Sequence, residues 1–211
     1  MDIDTTIGIG IDNPVKVIII AAFFINAIYA KGGLARGRRD QIILIIAMGF
    51  TLLADSLMLL FGMNIAGILA FCVVQTMYNY RYTNLGRVIA QIILGGIAFV
   101  IAYHSGLDML FSLGAAYAVF LFFSVTGSFM AYNKYPSPNN LMIVLGMLLF
   151  MACDIFVGIY NIRFGLDAEQ LNLVFRGIWL CYFPAQALLS SSARKARNYK
   201  EEDAQRRENR G

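Results

Sequence analysis

The sequence predicts an all-α fold, a polytopic transmembrane bundle of about seven helices, and three observations predict it. Hydrophobic residues fill 59% of the 211 positions and charged residues only 14%, against about 25% charge in soluble domains. The apolar residues are gathered in seven long runs, and the mean hydropathy is +0.65. Short polar loops separate the runs. Within hydrocarbon every backbone N–H and C=O must be paired inside its own segment, so runs of about 20 residues are helices rather than open strands. Residues 1–193 read as one transmembrane domain and 194–211 as a charged cytoplasmic tail.

The elements follow in order. The start is polar and acidic (Asp2, Asp4, Asp12) and lacks the basic opening of a secretory signal. The first span begins near Pro14, a residue suited to a first helical position, and ends near Ala30. A basic loop with Lys31, Arg36, Arg38 and Arg39 leads into the second span, 41–62. A tight turn at Gly62 joins it to the third, 64–82. The fourth covers 86–103 and the fifth 107–132. Pro136 and Pro138 stiffen the loop before the sixth, 141–161, and the seventh runs over 171–192.

Lysine and arginine set the expected orientation. Lys31, Arg36, Arg38, Arg39, Arg81, Arg87, Lys134 and Arg194 all fall at one end of the bundle, while the opposite loops hold Arg163 with His104, Asp108, Asp167 and Glu169. The N-terminus is expected outside and the C-terminus in the cytoplasm, in a multi-pass integral membrane protein, which in a bacterium would lie in the plasma membrane.

Two carboxylates interrupt the spans. Asp55 sits in Leu52-Leu-Ala-Asp55-Ser-Leu-Met-Leu-Leu60 and Asp154 in Met147-Leu-Leu-Phe-Met-Ala-Cys-Asp154. An ionisable group there costs ~2.5–3.5 kcal/mol on insertion scales, which makes each a candidate functional residue. Both helices run in the same direction. Each acid is expected roughly 10 Å below the same end, so the two are expected to face each other in one site. Polar stripes on other spans are expected to face it: Gln75, Tyr78 and Asn79 on the third, Gln91 on the fourth, and Arg176, Trp179, Tyr182 and Gln186 on the seventh. Two carboxylates in a dry site cannot both ionise cheaply, and Arg176 is expected to pair with one of them or with an anionic headgroup. The expected cleft is lined by Asp55, Gln75, Tyr78, Asp154, Arg176, Tyr182 and Gln186.

Other residues carry blander expectations. Gln91, Ser124, Thr126 and Ser128 suit interhelical hydrogen bonds, and Gly95, Gly96 and Gly127 suit close helix packing. Cys72, Cys153 and Cys181 are odd in number and lack metal-ligand spacing, and His104 is the single histidine. No metal centre and no cofactor are therefore expected.

Four segments resemble the YhhN-like lysoplasmalogenase family of integral membrane proteins. Leu53-Ala54-Asp55-Ser-Leu-Met-Leu-Leu60 resembles its Leu-x-Gly-Asp-x-x-Leu segment, with Ala54 in place of the glycine. Ala66-Gly67 to Tyr78 resembles Gly-x-x-x-Phe-x-x-x-His-x-x-Tyr, with Gln75 in place of the histidine. Gly146 to Asp154 resembles Gly-x-x-x-Phe-x-x-Ser-Asp, and Tyr182-Phe-Pro-Ala-Gln186 its closing Tyr-x-x-x-His/Gln. The family usually has eight spans, and this sequence has seven apolar runs. The resemblance implies hydrolysis of the vinyl-ether bond of a lysophospholipid, releasing a fatty aldehyde. Vinyl ethers are acid-labile: protonation at carbon gives an oxocarbenium ion that water traps. One protonated acid and one nearby carboxylate would serve that path, much as glycosidases use such a pair. On that reading Asp55 and Asp154 are catalytic, Gln75, Tyr78, Tyr182 and Gln186 hold substrate, and Arg176 meets its phosphate. The partners implied are an amphipathic lipid and the membrane, with no nucleic acid. The residues equally suit a second class, a small transporter or lipid-binding protein that uses the same aspartates as proton or cation sites.

Overall fold

The structure is a computed structural model and describes residues 12–29, 36–163 and 165–194. These form seven helices and no strand: α1 (Asn13–Ile28), α2 (Arg38–Leu59), α3 (Asn64–Tyr82), α4 (Leu85–His104), α5 (Met109–Lys134), α6 (Pro138–Ile162) and α7 (Ala168–Ser191). The helical bundle is as predicted, and the N-terminal stretch, Lys31 and most of the charged tail lie outside the described residues. Several helices start at polar residues that satisfy their free N–H groups. Asn84 accepts from the Arg87 N–H, Asp108 from Phe111, and Ser137 from Asn140. Asp167 and Gln170 form a capping box at the start of α7. These caps explain why α6 and α7 begin three residues earlier than hydropathy alone suggests.

Five helices, α2, α4, α5, α6 and α7, are long and apolar enough to cross a membrane. At 16 residues, α1 is shorter. α3 has the length, at 19 residues, but carries Gln75, Asn79 and Arg81, all buried. It can carry them because it packs against α2, α4 and α5 rather than against lipid alone.

The packing pairs define a ring. α1, α2, α3, α5, α6 and α7 each pack on the next, and α7 returns to α1; α4 stands outside, against α5 and α3. The order places α2 opposite α6, which are the two helices that carry Asp55 and Asp154. Outward faces are apolar: on α4, Ile89, Ile92, Ile93, Ile97, Val100 and Ile101 are all exposed, as lipid-facing residues should be. Inside lie Leu44, Met48, Tyr78, Ile143, Met147, Phe150 and Leu189.

Polar ties close the ring at its basic end. Arg81 donates to both oxygens of Asp40, at 2.9 and 2.7 Å, and to Ser192 at 2.8 Å, joining α3, α2 and the end of α7. Asn26 donates to Ser190 and Ser191, and Arg194 donates to Asn26, joining α1 to α7. Inside the bundle, Gln91 ties α4 to Asn79 of α3 and to the Phe120 carbonyl, and Ser124 donates to the Gln75 carbonyl.

Glycines decide the closest approaches, though not all those expected. A Cβ on Gly146 would lie 2.9 Å from Leu189 and 3.3 Å from the Ala185 carbonyl, so α6 and α7 touch through this gap. Gly95 and Gly127 are similarly covered, by Phe120 and by Thr83 with Asn79. Gly96 is a correction: it faces open space, with nothing within 4 Å, because it lies on the outer side of α4. Gly146→Val is expected to lower stability by about 1–3 kcal/mol, since overpacking pushes two helices apart. Thermal unfolding in detergent checks this, with Gly96→Ala, which meets open space, as the control that does not lower the midpoint.

Candidate intramembrane carboxylate site

Asp55 and Asp154 both point inward, and each is met by a tyrosine hydroxyl. Tyr182 of α7 donates to Asp55 Oδ2. Tyr117 of α5 donates to Asp154 Oδ2 at 2.6 Å. Asp55 is buried and Asp154 half-buried. A charged acceptor strengthens such bonds and fixes the carboxylate's orientation. Asp55 lies one turn, roughly 6 Å, from the end of α2 at Leu59, and Asp154 two turns, roughly 12 Å, from the end of α6 at Ile162. α2 stops early because the chain already turns at Leu60 toward Gly62, whose φ is +64°.

Aromatic rings connect the two acid–tyrosine pairs. Tyr117 packs on Phe71 (6.1 Å between centroids), Phe71 on Phe150 (6.1 Å), and Phe150 edge-on to Tyr182 (5.7 Å). Trp179 continues the cluster at 5.9 Å from Tyr182. Gln75 Nε2 donates to the Tyr117 oxygen at 3.4 Å, which brings it to the Asp154 pair. Gln75 Oε1, both amide atoms of Gln186 and the Trp179 Nε1–H are buried with no hydrogen-bond partner among the described residues. Buried polar atoms of this kind are rare and call for an explanation, such as a bound molecule that would use them.

Three expectations are corrected. Arg176 forms no salt bridge with either acid: among the described residues the salt bridges join Asp40 to Arg36 and Arg81. Arg176 is exposed, because six residues of helix carry it roughly 120° away from Tyr182. Tyr78 is buried but turns from the acids, its hydroxyl donating to Met48 Sδ at 3.4 Å and its ring stacked on Tyr82. The expected cleft coincides with neither of two cavities. One, of about 480 Å³, is at the basic end, and a groove of about 270 Å³ lies between α1 and α2. Neither is lined by any of the seven expected residues, because Phe71, Phe150 and Tyr182 occupy the space between the aspartates.

Tyr117 was missed by sequence reasoning. It is the one hydroxyl between Ser112 and Ser124 in an apolar run, with no charged neighbour to mark it. Lys16 was missed as well. Its ammonium is buried over the rings of Trp179 (4.5 Å) and Phe175 (5.0 Å) and donates to Asn13 Oδ1 at 3.1 Å. A lysine among apolar residues near the start of the first span was the signal available.

The description that matches this chain is the YhhN family, whose model covers residues 13–193. No curated protein and no solved structure matches it. The match takes in all seven helices and both aspartates.

Proposed function

The chain belongs to the YhhN family, and from that premise we propose that it is a membrane hydrolase that cleaves the vinyl-ether bond of lysoplasmalogen-type lysophospholipids. One observation carries the proposal. Two inward carboxylates are each held by a tyrosine hydroxyl, the two pairs are linked through apolar rings, and Gln75 reaches the Asp154 pair with its amide oxygen unpaired.

The reaction follows from these parts. Asp55 delivers its proton to the vinyl carbon remote from oxygen, and the adjacent carbon becomes an oxocarbenium ion. Asp154 stabilises that cation as a carboxylate and takes a proton from the attacking water. The resulting hemiacetal collapses: Asp154 gives its proton to the glycerol oxygen as the C–O bond breaks, the hemiacetal hydroxyl gives its proton back to Asp55, and a fatty aldehyde leaves. One water is consumed and both carboxyl groups return to their starting state. Gln75 and Gln186 orient the water or the ether oxygen through their free amide atoms. The packed aromatic rings around the acids keep competing water away from the cation. Substrate entry displaces aromatic side chains. Pro184, which lacks an N–H and so removes one helix hydrogen bond just past Tyr182, makes that part of α7 the easier to move. On the lysine and arginine bias the basic end is cytoplasmic, so the acids open toward the outer leaflet.

The purified protein, offered vinyl-ether and ester lysophospholipids side by side, is expected to release fatty aldehyde from the vinyl ether, read by mass spectrometry. Solute flux without aldehyde would overturn the proposal in favour of a carrier. Asp154→Asn is expected to lower turnover by about 10²-fold or more. It should leave stability within about 1 kcal/mol, because the amide oxygen still accepts from Tyr117 and no arginine is stranded. A large fall in the unfolding midpoint would contradict that account.

A further inference from the structure

We propose that the cavity at the basic end is a second site, for the phosphate of an anionic phospholipid headgroup, separate from the carboxylate site. The cavity, about 480 Å³, is lined by Arg36, Arg39, Arg81, Asp40, Tyr80 and Asn84, with Ile43 and Leu85 among its apolar residues. Its volume falls in the usual range of small-ligand sites, roughly 300–1,000 Å³. It sits at the start of α2, some four turns and roughly 22 Å from Asp55.

Charge selects the ligand. Three guanidinium groups face one carboxylate. Both oxygens of Asp40 are taken by Arg81, and Arg36 reaches Oδ1 only at 3.6 Å. Three guanidinium charges against the one carboxylate leave the cavity with a net positive charge. Arg81 is buried and fixed by its three bonds, so it forms a rigid floor. Arg39 is held over the Tyr80 ring, 5.3 Å from its centroid, and donates to the Tyr80 hydroxyl. Arg36 and Arg39 are themselves exposed and keep donors to spare. Planar arginine forks suit phosphate oxygens in pairs. A choline headgroup brings its own cation and would be repelled. The apolar side favours a lipid: Leu85 is exposed at the start of α4, where the lipid-facing isoleucine surface begins. A basic pocket between membrane helices is a recurrent headgroup site.

The test uses the full chain purified in a mild detergent. Native mass spectrometry with equal phosphatidylglycerol and phosphatidylcholine is expected to retain phosphatidylglycerol preferentially. The Arg36→Gln/Arg39→Gln variant should retain about 20-fold less of it. Both arginines are exposed and the Arg81–Asp40 pair is untouched, so the variant's unfolding midpoint without anionic lipid should match the parent. Millimolar inorganic phosphate should displace the bound lipid, since the phosphate is the recognised group. Equal retention of the two lipids, or undiminished phosphatidylglycerol in the variant, overturns the proposal. Stabilisation by inorganic phosphate with no retained phosphatidylglycerol overturns the lipid assignment in favour of a free phosphate.

Discussion

Asp55→Asn is expected to cut aldehyde release by about 10³-fold while leaving lipid binding and stability nearly intact. The asparagine side chain has the same shape, and its oxygen can still accept from Tyr182, so the α2–α7 contact survives. What it lacks is a proton to give to carbon, and general acid catalysis contributes typically 10²–10⁴-fold. Because the lost interaction exists only in the transition state, kcat should fall and KM should hold. Tyr182→Phe is expected to fall between, losing about tenfold, since the hydroxyl orients Asp55 but transfers nothing to substrate. Undiminished turnover in Asp55→Asn removes Asp55 from the mechanism. Steady-state kinetics on the vinyl-ether substrate, with unfolding midpoints beside them, make the measurement.

Arg81→Met is expected to destabilise the fold by about 3–5 kcal/mol, more than Gly146→Val or either aspartate-to-asparagine change. It strands the Asp40 carboxylate, which is 8% exposed, after removing two bonds to it and one to Ser192. Breaking a buried pair from one side costs this much because the remaining charge stays desolvated. Arg36, at 3.6 Å, recovers part of the loss. The double change Arg81→Met/Asp40→Leu should be far milder, since no charge is left behind. Unfolding in detergent at neutral pH compares the parent with the single and double variants. A double variant as unstable as the single one would mean that packing, and not the stranded charge, carries the effect.

Hydropathy was enough for the number and order of the helices. Each apolar run became a helix, but the caps at Ser137 and Asp167, which start α6 and α7 three residues ahead of their apolar runs, were not read from the sequence. The two aspartates were also legible, because a carboxylate in a spanning run is costly wherever the helix goes. Their partners were not. Arg176 looked right by charge and depth, yet helical rotation turns it outward, while Tyr117, an ordinary residue in an apolar run, reaches Asp154. Gly96 looked like a packing glycine beside Gly95, and one 100° step of helix separates a covered position from an open one.

By itself, then, the chain's pattern of apolar runs determined a seven-helix membrane bundle and marked Asp55 and Asp154, since burial of backbone and of charge is governed by the local sequence and the surrounding lipid. Only the tertiary structure decided what meets those acids. The closed ring of six helices sets α2 opposite α6 and leaves α4 outside. It gives each carboxylate a tyrosine rather than an arginine, and it keeps Arg36, Arg39 and Arg81 at the far end around Asp40. Those choices depend on how each helix is rotated about its axis. That rotation is fixed by contacts between residues far apart in the chain, Tyr182 with Asp55 and Arg81 with Ser192 among them.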